Sequence, residues 1–246
     1  MNAPLHNRDV DWDQWPVSDY LAEVYHEVLP ADDAVLLHHS AFYRGFEPGH
    51  FGRSLELGAG PNLYPLMLAA AVSREIEAVE PSAASVAYVD RQLTDGPDPS
   101  WQRFYRRCRE LQPALPATLA AALSRVRVRR GGAGDLEPAG YDLASMHFVA
   151  ESATEDLDEF REICHAFVRA VRPGGCLVAA FMENMGRYQI GTGPHWPGYP
   201  VDSGIVRSVF APLTTDLRIS RVDSDATSAG YETTGMVLLT ARRAAD

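Results

Sequence analysis

The residues best placed to do chemistry lie in Leu55-Glu56-Leu57-Gly58-Ala59-Gly60-Pro61, an apolar strand running into a glycine turn and then a helix. Glycine has no Cβ, so such a turn lets a ligand lie close against the backbone. An acid, Glu80, ends the next strand twenty residues after Gly60, the spacing at which a carboxylate accepts hydrogen bonds from the hydroxyls of a bound ribose. Gly58 and Gly60 also suit a plain tight turn. A dinucleotide site asks for a third glycine three residues after Gly60, where the chain has Leu63. Pro61 further opposes the close helix approach that a pyrophosphate needs.

The elements around this turn follow from periodicity. Ser18–Leu29 reads as a helix capped by Ser18, with Tyr20, Leu21, Val24, Tyr25 and Val28 on one face. Pro30 stops it, and a second helix runs from about Asp32 to Phe46. Strands and helices then alternate: strand Arg53–Leu57, helix Pro61–Val72, strand Ile76–Val79, helix Pro81–Leu93 and helix Trp101–Leu111. In RVRVRR, Val126 and Val128 point one way and Arg125, Arg127 and Arg129 the other. That suits an edge strand kept from aggregating by its charge, with an arginine patch for an anionic ligand as the alternative. Strand Tyr141–His147 precedes a helix that Thr154 caps, with acids at its start and Arg169 and Arg172 at its end, both complementing the helix dipole. Strand Cys176–Met182, a helix over Val201–Phe210 and strands Leu217–Val222 and Gly235–Arg242 complete the chain, the last two joined by a turn-like segment from about Asp223 to Thr234. This alternation implies an α/β, doubly wound parallel sheet with helices on both faces and an antiparallel final pair.

Several of these stretches resemble the nicotinamide, phenylethanolamine and thioether N- and S-methyltransferase family, within the class I S-adenosyl-L-methionine (SAM)-dependent methyltransferases. ELGAGPNLY is similar to that family's Gly-x-Gly-Pro turn followed by Tyr, here Tyr64. Asp19-Tyr20-Leu21 with Tyr25 resembles its N-terminal signature, and Pro99-Ser100-Trp101 its Trp-containing stretch. Arg172-Pro173-Gly174-Gly175 and Arg187-Tyr188-Gln189-Ile190-Gly191 resemble the turns before and after its fifth strand. The resemblance implies a Rossmann-like sheet of seven strands in order 3-2-1-4-5-7-6, the last antiparallel. It divides the chain into an N-terminal helical lid over residues 1–50 and a SAM-binding domain over 51–246.

By the same resemblance Tyr20 and Tyr25 contact the methionine part of SAM and cover it, Gly58, Ala59 and Gly60 lie beneath it, and Tyr64 reaches its carboxylate. Glu80, with Pro81 beside it, binds the ribose where the family more often has Asp. Ser85 falls where the family often has Asn near the adenine or ribose, and Asp135 is the adenine-binding acid, although GGAGD departs from the family's Cys-Asp-Val. His147, ending the fourth strand, faces the cofactor. Glu183 is the first candidate for binding the acceptor and taking its proton, with His147 the second. Tyr188 is a pocket wall or hydrogen-bond donor, Tyr20 also contacts the acceptor, and His195 and Trp196, in TGPHWPGYP, reach it. Packing alternatives stand beside these roles: Tyr20, Leu21 and Tyr25 also form one apolar helix face, Tyr64 suits a core position, His147 suits a satisfied buried histidine, and TGPHWPGYP suits a surface loop.

The expected reaction is methyl transfer from SAM, leaving S-adenosyl-L-homocysteine (SAH), to an amine or heterocyclic nitrogen of a small molecule of secondary metabolism. A hydroxyl acceptor is the alternative, and a non-catalytic binding or regulatory protein on the same fold is the reading from another class. Composition bounds these readings. The 246 residues carry a net charge of −11, which repels phosphate backbones and argues against nucleic acid. Every cation is Arg, so a lysine Schiff base is excluded. No apolar run is long enough to span a bilayer, and the N-terminus lacks the basic and apolar regions of a secretory signal. A cytoplasmic monomer or weak homodimer with no membrane partner and no metal is expected, since no ligand cluster has metal spacing. Cys108, Cys164 and Cys176 read as buried thiols.

Overall fold

The computed structural model describes residues 4–223 and 233–245. Seven strands form the main sheet: β1 (Phe51–Leu57), β2 (Ser73–Glu80), β3 (Val126–Arg130), β4 (Tyr141–His147), β5 (Val171–Glu183), β8 (Thr214–Asp223) and β9 (Gly235–Arg243). Two short strands, β6 (Tyr188–Gln189) and β7 (His195–Trp196), make a separate hairpin. The main order is β3-β2-β1-β4-β5-β9-β8. Counted without the hairpin, this is the expected 3-2-1-4-5-7-6. Strands β1 to β5 pair in parallel, and β9 runs antiparallel to both neighbours. The hairpin is the addition that the alternation did not signal. The turn expected between the last two strands lies almost wholly outside the described residues.

Helices cover both faces. On one side lie α2 (Pro30–Tyr43), α3 (Tyr64–Ala69), α4 (Ala83–Thr94), α5 (Trp101–Leu111) and α6 (Leu119–Leu123), packed on Ile76, Val178 and Ala180. On the other lie α7 (Leu157–Ala170) and α8 (Ser203–Phe210), packed on Leu177, Ala179 and Phe181. Successive residues of β5 thus serve opposite cores, which is why a central parallel strand reads as one unbroken apolar run. Strand β3 is at the sheet edge as its charge predicts, and three arginines in and beside it are engaged: Arg129 pairs with Glu77, Arg130 with Asp13 at 2.9 Å, and Arg125, just before the strand, donates to the Ala70 carbonyl at 2.7 Å. The three cysteines are buried and free.

Several local expectations need correction. Helix α1 is shorter than expected (Val17–Val24), is preceded by Pro16 rather than capped by Ser18, and places Tyr25 just past its end. Pro30 opens α2 instead of merely closing α1, since proline tolerates the first helical turn. Helix α3 starts at Tyr64 because the Asn62 side chain accepts the Tyr64 N–H at 3.1 Å, keeping residues 58–62 as loop. The cap of α7 is Asp156, whose carboxylate accepts the Glu159 N–H at 2.9 Å, while Thr154 Oγ1 accepts the N–H of Asp156.

Candidate functional site

A cleft opens where the parallel strands end. The described residues lining it include Glu56–Gly60 at the end of β1 and beyond, Glu80 and Pro81 at the end of β2, Gly132 and Ala133 after β3, His147–Val149 at the end of β4 and Met182 on β5. This is the carboxyl edge, at which open α/β sheets bind ligands. Asn7, Trp12, Trp15, Tyr20 and Tyr25 from the N-terminal segment cover it, and Ala31 and Asp32 of α2 close one side.

The floor is the glycine turn. Gly58 and Gly60 adopt φ of +65° and +55°, a region costly for residues with a Cβ. A Cβ on Gly58 would also lie 2.5 Å from Val149 Cγ1. The Gly60 N–H donates to Glu80 Oε2 at 2.8 Å, and the Ser82 N–H to Glu80 Oε1 at 2.9 Å. Glu80 is therefore held rigidly beside the turn with a lone pair free on each oxygen, an arrangement that can accept from two vicinal hydroxyls. Burial pushes its pKa up to about 7 against those two backbone bonds.

A second buried acid orients the histidine. Glu56 is 2% exposed; it accepts from Ser145 Oγ and lies 2.8 Å from His147 Nδ1. Such a carboxylate fixes the imidazole with its proton on Nδ1 and leaves Nε2 basic. His147 Nε2 is buried without a partner. A third acid, Asp32, lines the cleft and accepts the Leu29 N–H at 3.3 Å; burial pushes its pKa up to about 7. The described lining residues include these three acids and neither Arg nor Lys, a field that favours a cationic ligand.

The cover is aromatic. The Tyr20 and Tyr25 hydroxyls are 3.3 Å apart with their rings crossed at 85°. Burial pushes Tyr20 up to about 12 and Tyr25 well up from the usual phenol value, so both stay neutral. Trp15 packs on Tyr20 (5.3 Å between centroids) and Trp196 (4.9 Å), and Trp12 stacks on Trp196 at 5.5 Å. Ring faces attract a cation held nearby.

Of the residues expected from sequence, Tyr20, Tyr25, Gly58, Ala59, Gly60, Glu80, Pro81, His147 and Tyr188 line the cleft together. Six lie off its lining. Tyr64 is fully buried behind it, stacked on Phe104 at 6.0 Å. Ser85 is buried within the first turn of α4. Asp135 is exposed and folds its carboxylate back onto the Gly132 N–H at 2.8 Å, leaving Gly132 and Ala133 as the wall. Glu183 is bound by Arg221 at 2.7 Å and by Thr234 Oγ1 at 2.5 Å, partners that hold its pKa below the usual carboxylate value. His195 is exposed on the hairpin, and Trp196 sits behind Trp12 and Trp15. Sequence reasoning assigned no role to Glu56, Asp32, Trp12 or Trp15. For Glu56 a signal existed: an acid between two leucines in a core strand must have a buried partner.

No family model matches the chain, and no curated protein matches it significantly. Among solved structures it is similar to the DhpI–SAM–HEP complex, at 14% identity over 96% of each chain with a TM-score of 0.59. It is also similar to the N-methyltransferase NodS from Bradyrhizobium japonicum in complex with SAH, at 15% identity over 94% of this chain and 92% of that one, TM-score 0.54. A SAM-dependent methyltransferase from Leishmania major aligns at 14% identity over 94% of this chain and 80% of that one, TM-score 0.58. At these identities the likeness is one of fold: the chain has the Rossmann-like sheet that these methyltransferases share.

Proposed function

We propose that this chain is a SAM-dependent methyltransferase acting on a small molecule, with an amine or heterocyclic nitrogen as acceptor and a hydroxyl as the second choice. The observation that carries this reading is Glu80, fixed against the glycine turn by Gly60 and Ser82 inside an acidic, aromatic-covered cleft at the carboxyl edge. The similar structures support it, since one is a complex with SAM and another an N-methyltransferase with SAH. The absence of Arg and Lys from the described lining fits a cationic cofactor.

Bound there, SAM supplies an electrophilic methyl group on a cationic sulfur. Glu80 grips the ribose hydroxyls and the Gly58–Gly60 turn supports the nucleoside from below. Tyr20 and Tyr25 close over the reacting atoms, where their rings favour positive charge and exclude water. Most of the acceleration comes from aligning acceptor and methyl in line. His147, oriented by Glu56, takes the acceptor's proton at Nε2. Glu183 is given no step because Arg221 and Thr234 already engage its carboxylate.

Calorimetric titration with SAM, SAH and NAD tests this. SAM and SAH are expected to bind saturably and NAD not to. Glu80→Ala should weaken SAH at least tenfold, about 1.4 kcal/mol. Binding of NAD in preference to SAH, or an unchanged SAH affinity in Glu80→Ala, would refute the assignment. A panel of small amines and phenols, followed by SAH release, separates nitrogen from oxygen transfer and an enzyme from a binding protein.

A further inference from the structure

SAM carries two positive groups, a sulfonium and an α-ammonium, beside one carboxylate. The sulfonium has no hydrogen to donate, and ring faces suit it. The ammonium has three donors and needs acceptors. We propose that Asp32 of α2 receives the α-ammonium of the cofactor and gives up a proton to water as it does so. The inference rests on the methyltransferase reading above and adds a residue that the sequence did not single out.

Asp32 lines the cleft and is 5% exposed. Its Oδ2 accepts the Leu29 N–H at 3.3 Å, and the described hydrogen bonds leave Oδ1 free. Among the described residues no cation pairs with it; Arg107 is spent on its neighbour Asp33 at 2.6 Å. A buried carboxyl without a cation is costly unless it stays protonated or a ligand brings the charge. The surroundings suit the head of an amino acid. Tyr64, expected at the carboxylate of SAM, is buried behind the lining, and its hydroxyl has no hydrogen-bond partner. The amino-acid end therefore falls to the residues in front of it. Asn62 lines the cleft there; its Oδ1 is taken by the Tyr64 N–H at 3.1 Å, which leaves the Nδ2 hydrogens for a ligand carboxylate.

Position and charge agree. Burial raises the Tyr20 phenol most, and the charges of Asp32 and Glu80 both add to this, so the two acids stand near one ring. With the ribose on Glu80, the methionine chain runs beneath Tyr20 and ends at Asp32. Burial also raises Asp32, to about 7, against the Leu29 N–H and the Tyr64 hydroxyl, which lower it, with Asp33 adding to the rise. The other titratable groups that face it are the phenols of Tyr20, Tyr25 and Tyr64, which burial keeps neutral. None of these supplies a positive charge. Near pH 7 the free Asp32 is partly protonated. The arriving ammonium keeps its three hydrogens, favours the carboxylate form, and sends the Asp32 proton to the buffer.

Calorimetry at pH 7 tests this with SAH and with its deaminated analogue, in which a hydrogen replaces the amino group. Two buffers of different ionisation enthalpy report the protons released. Asp32→Asn keeps the side-chain shape and an acceptor for Leu29. Wild type is expected to bind SAH at least tenfold more tightly than the analogue. Asp32→Asn should weaken SAH at least tenfold and the analogue less than twofold. Wild type should release more protons with SAH than with the analogue, and Asp32→Asn should release the same number with both. Equal SAH affinity in the two proteins, an equal loss for SAH and the analogue, or the same proton release for both ligands in wild type would each overturn the inference. Failure of SAH to bind wild type at all would bring down the methyltransferase reading as well, whereas SAH bound equally by both proteins overturns this inference alone.

Discussion

At residue scale, Gly58 is the least replaceable position of the floor. Its φ of +65° and the 2.5 Å approach of Val149 Cγ1 to an added Cβ act together. Gly58→Ala is expected to destabilise the fold by about 2–3 kcal/mol, seen as a lowered denaturation midpoint; a midpoint within error of wild type would refute the packing account. Glu183→Ala should change stability little, because the exposed Arg221 it leaves behind keeps its pair with Asp223. It should leave SAH affinity unchanged, and a tenfold affinity loss would return Glu183 to the site. Glu80, Gly58 and Gly60 were legible because strand ends and glycine turns are written in short-range pattern. Glu183 misled for the same reason: its place after β5 was readable, but the Arg221 that engages it comes from β8, far along the chain. Asp32 carries no signal of its own: an acid in the first turn of a helix ordinarily serves the helix dipole, and only the fold brings that turn to the cleft.

At element scale, the cover depends on a strap without periodicity. Leu5 and Asn7 donate their N–H groups to Glu155 and Glu159 at 3.0 Å each. At the far side Asp13 accepts the Ala83 N–H at 2.8 Å and pairs with Arg130 at 2.9 Å. Trp12, between these anchors, and Trp15, just past the second, lie over the cleft mouth. Asp13→Ala frees one end, so SAH should dissociate severalfold faster in stopped-flow measurements while the association rate changes less. Equal dissociation rates would show that the strap does not gate the cleft. The two tryptophans were visible in the sequence, but nothing local placed them: their partners, Trp196 and Tyr20, are fixed by the hairpin and α1. The strand–helix alternation, by contrast, was legible nearly throughout, because buried parallel strands and amphipathic helices each carry their own period.

At the scale of the whole molecule, buried carboxyl groups set the pH response. Burial raises Asp32 and Glu80 to about 7 and Glu151 to about 8. The folded protein therefore holds these protons to higher pH than the unfolded chain does. The stability they contribute is full below the ordinary carboxyl pKa and is lost as pH rises through 7 to 8. Glu77, Asp142, Glu155 and Glu183 act oppositely, their pKa values lowered on balance by hydrogen bonds and arginine partners even where burial works against this; their contribution holds above pH 4.5 and is lost in acid. Maximum stability is expected near pH 4.5, where the second set is ionised and the first is still protonated in both states, with a fall of a few kcal/mol by pH 8.5. A denaturation midpoint that stays flat or rises from pH 6 to 8.5 would contradict the burial of these acids.

All scales meet in the cleft, and a crystal structure of the SAH complex tests it most directly. The account predicts the ribose hydroxyls on Glu80, the nucleoside above Gly58–Gly60, and Tyr20 and Tyr25 closed over the sulfur. A nucleoside seated away from the carboxyl ends of β1 and β2, or a cleft left empty at saturating SAH, would contradict it.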